Sequence, residues 1–339
     1  MTRKLMTKDA INEAISQSME RDENVYIMGE DLSGGAGNDF EGAVDSLGGA
    51  YGVTKGLATK FGRKRVIDTP ISETGFIGMA VGAAFAGLRP IVELMYVDFI
   101  GVCYDQLYNQ AAKLFYLYGG KKPISMVLRT PVGGGYRTGA EHSQVLYNMF
   151  VSIPGLKVVI PSNAYDAKGL MNRAIKDNDP VVFLEHKKSY VRETEVPEEY
   201  YEIPFGEAKV VREGTDVTIV ALQRMVWEAE AAAVELAKEG ISCEIIDPRT
   251  ISPLDLNTIL KSARKTKRVV IVDESYPRCG MAADISAQVT EVTFGELVAP
   301  VVRVIPPHTH IPYSASLEDA WIPNASDVFA AVTKIMAYK

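Results

Sequence analysis

The chain has 339 residues, of which 47% are hydrophobic and 23% charged, and a formal net charge of -7. That length suits about two domains, each able to bury its own core. The acidic balance argues against phosphate-backbone binding, so no nucleic acid partner is expected. No apolar stretch reaches the roughly 20 residues that span a bilayer, so no membrane partner is expected either. Cys103, Cys243 and Cys279 lack CxxC spacing and are odd in number, which reads as reduced thiols rather than a disulfide framework or zinc site. The segment Met1-Thr2-Arg3-Lys4-Leu5 lacks the apolar core of a signal peptide, and a cytoplasmic protein is expected.

In chain order, Ile11, Ala14, Ile15 and Met19 recur at helical spacing and predict a helix over 8–19, with Thr7 as its cap. Val25-Tyr26-Ile27-Met28 reads as a buried strand stopped by Gly29-Glu30-Asp31. Similar apolar runs lie at 91–96, 124–128, 157–160 and 181–184, separated by helical patterns over 76–86, 98–116 and 165–176. Doubly buried strands alternating with helices predict an α/β fold with a parallel sheet covered on both faces. After 187 the pattern lapses into a polar, acidic stretch containing Pro197, Glu198, Glu199 and Pro204. Residues 191–206 are therefore expected to link a domain over 1–190 to a smaller one over 207–339. The second alternation predicts strands at 217–222, 242–246, 268–272 and 301–305, and helices over 226–238, 255–263, 281–292 and from 327 onward. Ser252 and Pro253 mark one helix start.

The chain contains no G-x-x-x-x-G-K-[ST], and no G-x-G-x-x-G follows a strand and opens a helix, which removes the usual support for NTPase and dinucleotide-binding readings. Gly34-Gly35-Ala36-Gly37 and Gly133-Gly134-Gly135 read as flexible turns in that context. Glu73 opens a helix of small and apolar residues, so its carboxyl is expected to be desolvated and its pKa raised, ready to donate a proton. A first-turn glutamate also complements the helix dipole, which is the plainer reading. The Gly75, Gly78, Gly82 and Ala83 stripe behind it suggests packing at an interface. His142 follows the second glycine run in a loop where an imidazole titrates near neutral pH, though a structural hydrogen bond would equally explain it. The aromatic run Tyr104, Tyr108, Phe115, Tyr116 and Tyr118 reads as helix packing.

Five segments together carry a family resemblance: Asp68-Thr69-Pro70-Ile71-Ser72-Glu73, Ala140-Glu141-His142-Ser143-Gln144, Ile153-Pro154-Gly155-Leu156-Lys157-Val158-Val159, Asp166-Ala167-Lys168-Gly169-Leu170 and Asp247-Pro248-Arg249-Thr250-Ile251-Ser252-Pro253-Leu254-Asp255. Across essentially the whole chain they resemble the β subunit of thiamine-diphosphate-dependent 2-oxo acid dehydrogenases. Within that group Glu93-Leu94-Met95-Tyr96-Val97-Asp98-Phe99, Gly34-Gly35-Ala36-Gly37 and Gly52-Val53-Thr54-Lys55-Gly56-Leu57 most resemble the acetoin-type β subunits. The resemblance implies a pyrimidine-binding domain followed by a transketolase C-terminal-type domain.

It also implies that Glu73 contacts N1′ of the cofactor's aminopyrimidine ring, with Ile71, Met95 and Phe99 lining that ring's pocket. His142 would act in proton transfer near the reacting carbon and the incoming lipoyl group, with Glu141 standing where relatives are expected to carry glutamine. The chain has no Gly-Asp-Gly segment, so the resemblance assigns the diphosphate and Mg2+ to a separate α subunit in an α2β2 assembly. Met126, Ala174, Asp177 and Asp179 match a potassium site built from carbonyls and side-chain oxygens. The implied reaction cleaves acetoin to acetaldehyde and an enzyme-bound hydroxyethyl group, which is oxidised and passed as acetyl to the lipoamide of an E2 acyltransferase. Pyruvate or a branched 2-oxo acid as the small-molecule substrate keeps the same site, and a noncatalytic E2-docking module is the alternative of a different class.

Overall fold

The computed structural model of the chain describes residues 2–34 and 48–338, so Gly35, Ala36 and Gly37 of the first glycine-rich segment lie outside the described residues. Two compact units are present. One comprises Met1–Val132 and Phe150–Phe205, the other Gly133–Met149 and Gly206–Lys339.

The first unit begins with β1 (Thr2–Met6), α1 (Thr7–Arg21), β2 (Val25–Gly29), α2 (Leu57–Phe61), β3 (Val66–Asp68), α3 (Glu73–Phe85) and β4 (Arg89–Glu93). A helical run follows: a 3-10 turn at Val97–Phe99, α4 (Ile100–Asp105), a π-helical stretch at Gln106–Ala111 and α5 (Ala112–Leu117). After β5 (Val127–Val132) the chain forms α6 (Tyr147–Val151), β6 (Lys157–Val159), α7 (Ala164–Lys176), β7 (Val181–His186) and β8 (Glu193–Pro197). The central strands lie in the order β6-β7-β5-β4-β2-β3, each pair parallel. The apolar face predicted for the first helix is buried: Ile11, Ala14, Ile15 and Met19 of α1 share a core with Leu170, Met171 and Ile175 of α7 and with Ile27, Ile91 and Phe183 of the sheet.

The expected helix over 98–116 contains a π-helical stretch that no periodicity announces. The N-terminus contributes a strand before its helix, because β1 pairs antiparallel with β8 from Thr2 opposite Pro197 to Met6 opposite Glu193. That pairing lies within the stretch 191–206, read from composition as a linker. The rest of the stretch is tied to the first unit by the buried ammonium of Lys168, which donates to the carbonyls of Pro197 (2.6 Å), Glu198 (3.1 Å) and Glu199 (3.0 Å) and to Glu13 Oε1 (2.5 Å). Ile203 N also donates to Gly169 O at 3.1 Å.

The second unit carries β9 (Lys209–Arg212), β10 (Val217–Ala221), α8 (Met225–Lys238), β11 (Cys243–Asp247), β12 (Thr250–Ser252), α9 (Leu256–Thr266), β13 (Val269–Val272), α10 (Met281–Thr293), β14 (Val302–Val304), α11 (Ala315–Trp321) and α12 (Ala325–Met336). Its sheet runs β14-β13-β10-β11-β9, parallel except for the edge strand β9. Asp255 caps α9 by accepting from Thr258 N, and Asn324 with Asp327 forms a capping box on α12. No helix among the described residues is long and apolar enough to cross a membrane.

The first sheet encloses an ion cluster. Arg129 on β5, 1% exposed, forks onto Glu185 on β7 through Nε (2.9 Å) and Nη2 (2.6 Å) and pairs with Glu93 on β4. Tyr190 donates its hydroxyl to Glu185 Oε2 at 2.6 Å. Breaking one partner of a buried pair strands the other charge, at a cost of about 3–5 kcal/mol. Glu185→Ala is therefore expected to lower the unfolding free energy by an amount of that order, read as a lower urea midpoint, whereas Glu195→Ala on exposed β8 is expected to change it by less than about 0.5 kcal/mol. Equal midpoints for the two variants would contradict the role assigned to the cluster.

Candidate active site

Parallel sheets bind ligands beyond the C-terminal ends of their strands, and in the first unit those ends carry acids. Glu30 follows β2, Asp68 ends β3 and Glu93 ends β4. Asp68 is committed to structure: its carboxylate accepts from Ser33 N (2.8 Å) and Ser33 Oγ (2.9 Å). Glu93 is committed to Arg129. Glu30 is 6% exposed, and its Oε1 has no hydrogen-bond partner among the described residues. Burial first, then the charges of Glu73 and Asp31, push its carboxyl pKa up.

Glu73 lies at the first position of α3, reached from β3 through Thr69-Pro70-Ile71-Ser72. Thr74 Oγ1 ties this first turn to the carbonyl of Val102 in α4. Cys103, also in α4, is buried, and burial followed by the charge of Glu73 pushes its thiol pKa up to about 12. The structure thus brings Glu73, Glu30 and Cys103 within electrostatic reach of one another. Desolvation of Glu73, expected from its apolar helix, is incomplete in this single chain because the residue is only half-buried. The small-residue face that would cover it is open to solvent at Gly75 and Gly82.

The apolar residues assigned to this site differ in their surroundings. Ile71 is 84% exposed, an unusual position for a large aliphatic side chain. Met95 and Phe99 are half-buried, Phe99 packing edge-on to Tyr96 with centroids 5.5 Å apart. Tyr104 and Tyr108 stack at 5.7 Å, but Tyr116 is 84% exposed, so the aromatic run fills a core only in part.

Met126, Ala174, Asp177 and Asp179 also belong to the first unit. Met126 O accepts from Val181 N (3.0 Å) and Ala174 O from Asp177 N (3.2 Å). Lys157 Nζ lies 2.7 Å from Asp177 Oδ1 and 2.9 Å from Asp179 Oδ2, and Arg173 lies 3.0 Å from Asp177 Oδ2. The two carboxylates therefore already face an ammonium and a guanidinium.

His142 belongs to the second unit, on the segment Gly133–Met149. Two buried carboxylates of that unit hold the segment. Glu274 accepts from Gly134 N (2.7 Å), while Glu318 accepts from Gly135 N (3.0 Å), Arg137 N (3.3 Å) and the Arg137 guanidinium. Gly139 has φ +68°, a backbone conformation that favours glycine, and packs beneath the Tyr313 ring, 2.3 Å from where a Cβ would stand. Thr138 Oγ1 donates to His142 O (3.2 Å) and shares a hydrogen bond with Ser143 Oγ (2.7 Å). The second glycine run, read as a flexible turn, is instead held by these acids.

Sequence reasoning missed Glu30, Glu274 and Glu318. A signal existed for Glu30, as a carboxylate just past a buried strand. Glu318 lies 183 residues from Gly135, and nothing local marks it. An acid with a raised folded pKa penalises folding once pH passes its unfolded value near 4.3, and the penalty grows until the folded carboxyl ionises. Glu30→Gln removes that penalty. The melting temperature of the variant minus that of wild type is expected to be larger at pH 7 than at pH 4; a difference independent of pH would rule out an ionisation cost at Glu30.

Residues 3–192 match the transketolase pyrimidine binding domain and residues 206–328 the transketolase C-terminal domain. The chain is 56% identical over 336 residues to acetoin:2,6-dichlorophenolindophenol oxidoreductase subunit beta of Cupriavidus necator and 50% identical over 336 residues to the protein of that name from Bacillus subtilis, each time covering 99% of this chain and 98% of the relative. It is 43% identical over 334 residues to the mitochondrial pyruvate dehydrogenase E1 component subunit beta of Homo sapiens, covering 97% of this chain and 90% of that one. A solved structure titled "Split gene transketolase, inactive beta4 tetramer" has TM-score 0.80 at 24% identity and 99% coverage of both chains, a likeness of fold. On this evidence the chain belongs to the family of transketolase-type β subunits that includes those of acetoin and pyruvate dehydrogenases.

Proposed function

We propose that this chain is the β subunit of an E1 component that, with an α subunit in an α2β2 assembly, cleaves acetoin and passes its acetyl group to the lipoyl arm of an E2 acyltransferase. The observation that carries the reading is the pairing of Glu73 and buried Glu30 beyond the strand ends with a bare apolar residue, Ile71. Such a surface is half of a site. Identities of 50–56% to acetoin-type β subunits, against 42–44% to pyruvate-type ones, support acetoin as the substrate.

The residues fit the aminopyrimidine half of thiamine diphosphate. A buried oxygen on Glu30 without a partner among the described residues and an exposed isoleucine leave polar and apolar surface to be covered. Glu73 is assigned to hold a proton at N1′, with Ile71, Met95 and Phe99 against the ring. The diphosphate and Mg2+ are assigned to the α subunit. When bound, the cofactor supplies an electron sink for the bond cleaved beside the carbonyl. His142 is assigned to proton transfer near the reacting carbon, on a loop held by the Glu318 and Glu274 contacts.

A potassium ion is proposed at the remaining lone pairs of the Met126 and Ala174 carbonyls with Asp177 and Asp179. Exchange of potassium for sodium at constant ionic strength is expected to lower the melting temperature of the assembled enzyme, and an unchanged value would dismiss the ion.

Reconstitution with an α subunit, thiamine diphosphate and Mg2+, followed by dye reduction with acetoin, pyruvate and 2-oxoisovalerate, tests the reading. Acetoin is expected to be preferred. Glu73→Gln is expected to lower turnover by about 10²–10⁴-fold while the circular dichroism spectrum stays that of wild type. Preference for an oxo acid would change the substrate, and bound cofactor without turnover of any of the three would favour a noncatalytic E2-docking module.

A further inference from the structure

We infer that Tyr147 and Gln223 are positioning residues for His142, a phenol-to-amide latch that fixes the register of the segment carrying the imidazole; this rests on the role proposed above for His142. Tyr147 is 1% exposed and donates its hydroxyl to Gln223 Oε1 at 2.6 Å, and Gln223 is equally buried. Both residues belong to the second unit.

The latch holds one end of a loop that is pinned at the other. Gly133 N donates to Gln144 O at 3.0 Å and draws the neck of the loop together. Glu274 holds the neck through Gly134 N, and Gln223 holds the chain leaving it through Tyr147. The two anchors stand at the same end of the sheet: Ala221 of β10 is opposite Val272 of β13, and Gln223 and Glu274 each lie two residues past that pair. Between the neck and Tyr147 burial alternates. Ser143, Val145 and Tyr147 are buried, whereas His142, Gln144 and Leu146 are only half-buried. Such alternation places successive side chains on opposite sides of the segment, with His142 on the side away from the latch. A slip of one residue would exchange the two sets and turn the imidazole inward.

The backbone at Gln223 points the same way. Its φ is +53°, in the left-handed region that favours glycine. A glycine would take that conformation without strain but would have no amide to accept the hydroxyl, and a strained residue held in place by its surroundings is a mark of function. Burial, then the charges of Asp273, Glu274 and Asp247, push the Tyr147 phenol pKa up, so the proton that the latch donates stays on its oxygen.

The test uses Tyr147→Phe, which removes the hydroxyl and keeps the ring, and Gln223→Asn, which keeps an amide and tolerates the left-handed backbone but withdraws the acceptor by one methylene. In the assembled enzyme turning over acetoin with a dye acceptor, each is expected to lower kcat about fivefold with the KM for acetoin unchanged, the loss of roughly one hydrogen bond. The combined variant is expected to fall no further than either alone. Unchanged turnover in either single variant, or falls that multiply in the combined one, overturns the latch. Histidine-ring NMR of the full-length chain gives a readout independent of turnover, since its four histidines supply His142, assigned by its loss in His142→Ala, and three internal controls. Tyr147→Phe is expected to shift the His142 ring signal and to leave those of His186, His308 and His310 in place; an unmoved His142 signal, or four signals that move together, overturns the proposal. A wild-type enzyme that ignores acetoin would refute the function proposed above, while the ring signals would still decide the latch.

Discussion

The first unit is organised around a charge that has no access to water. Arg129 sits in the middle of a parallel sheet, where desolvation opposes any ion, and it is tolerated because Glu185, Glu93 and, through Glu185, Tyr190 surround it. Three adjacent strands, β4, β5 and β7, each contribute one member. A slip of any one strand by a residue would turn its member to the other face of the sheet, so the cluster enforces register as well as adjacency. The ends of those strands are fixed in consequence, and with the end of β4 the positions from which Met95 and Phe99 project.

On that frame the acids at the strand ends take different duties. Asp68 and Glu93 are spent on structure, one holding Ser33 and the other Arg129. Glu30 is left buried with an oxygen that no described residue partners, and its raised pKa is the electrostatic trace of that position. Perturbed carboxyls cluster where chemistry is done. The half-burial of Glu73 and the exposure of Ile71 suit the assembly proposed above, since a site that a second chain completes must present apolar surface before that chain arrives.

Much of this architecture was legible locally. The alternation of apolar runs with helical periodicity located β2, α1, α7 and most of the second unit's strands, because each is written in the spacing of neighbouring residues. Glu73 and His142 stood out through their segments and the resemblance those segments carry. What escaped had no local signature. The edge pair β1 and β8 joins residues nearly two hundred positions apart, and its polar sequences look like tails when read singly. The π-helical stretch at Gln106–Ala111 sits in a sequence any helix would accept. The anchoring of the His142 loop depends on Glu274 and Glu318, far along the chain, and a glycine run reads as slack until its N–H groups are seen to end on carboxylates.

The lysine of α7 that holds the end of the first unit, Lys168, resembles a metal site made of protein. Three successive main-chain oxygens and a carboxylate converge on Lys168 Nζ much as oxygens converge on a bound cation, but this cation is covalently attached. A chelator has nothing to withdraw there, and the turn after β8 keeps its shape whatever the surrounding divalent ion concentration. The vulnerability moves from solution conditions to covalent chemistry: acylation of that one amine would remove the charge on which all four oxygens converge.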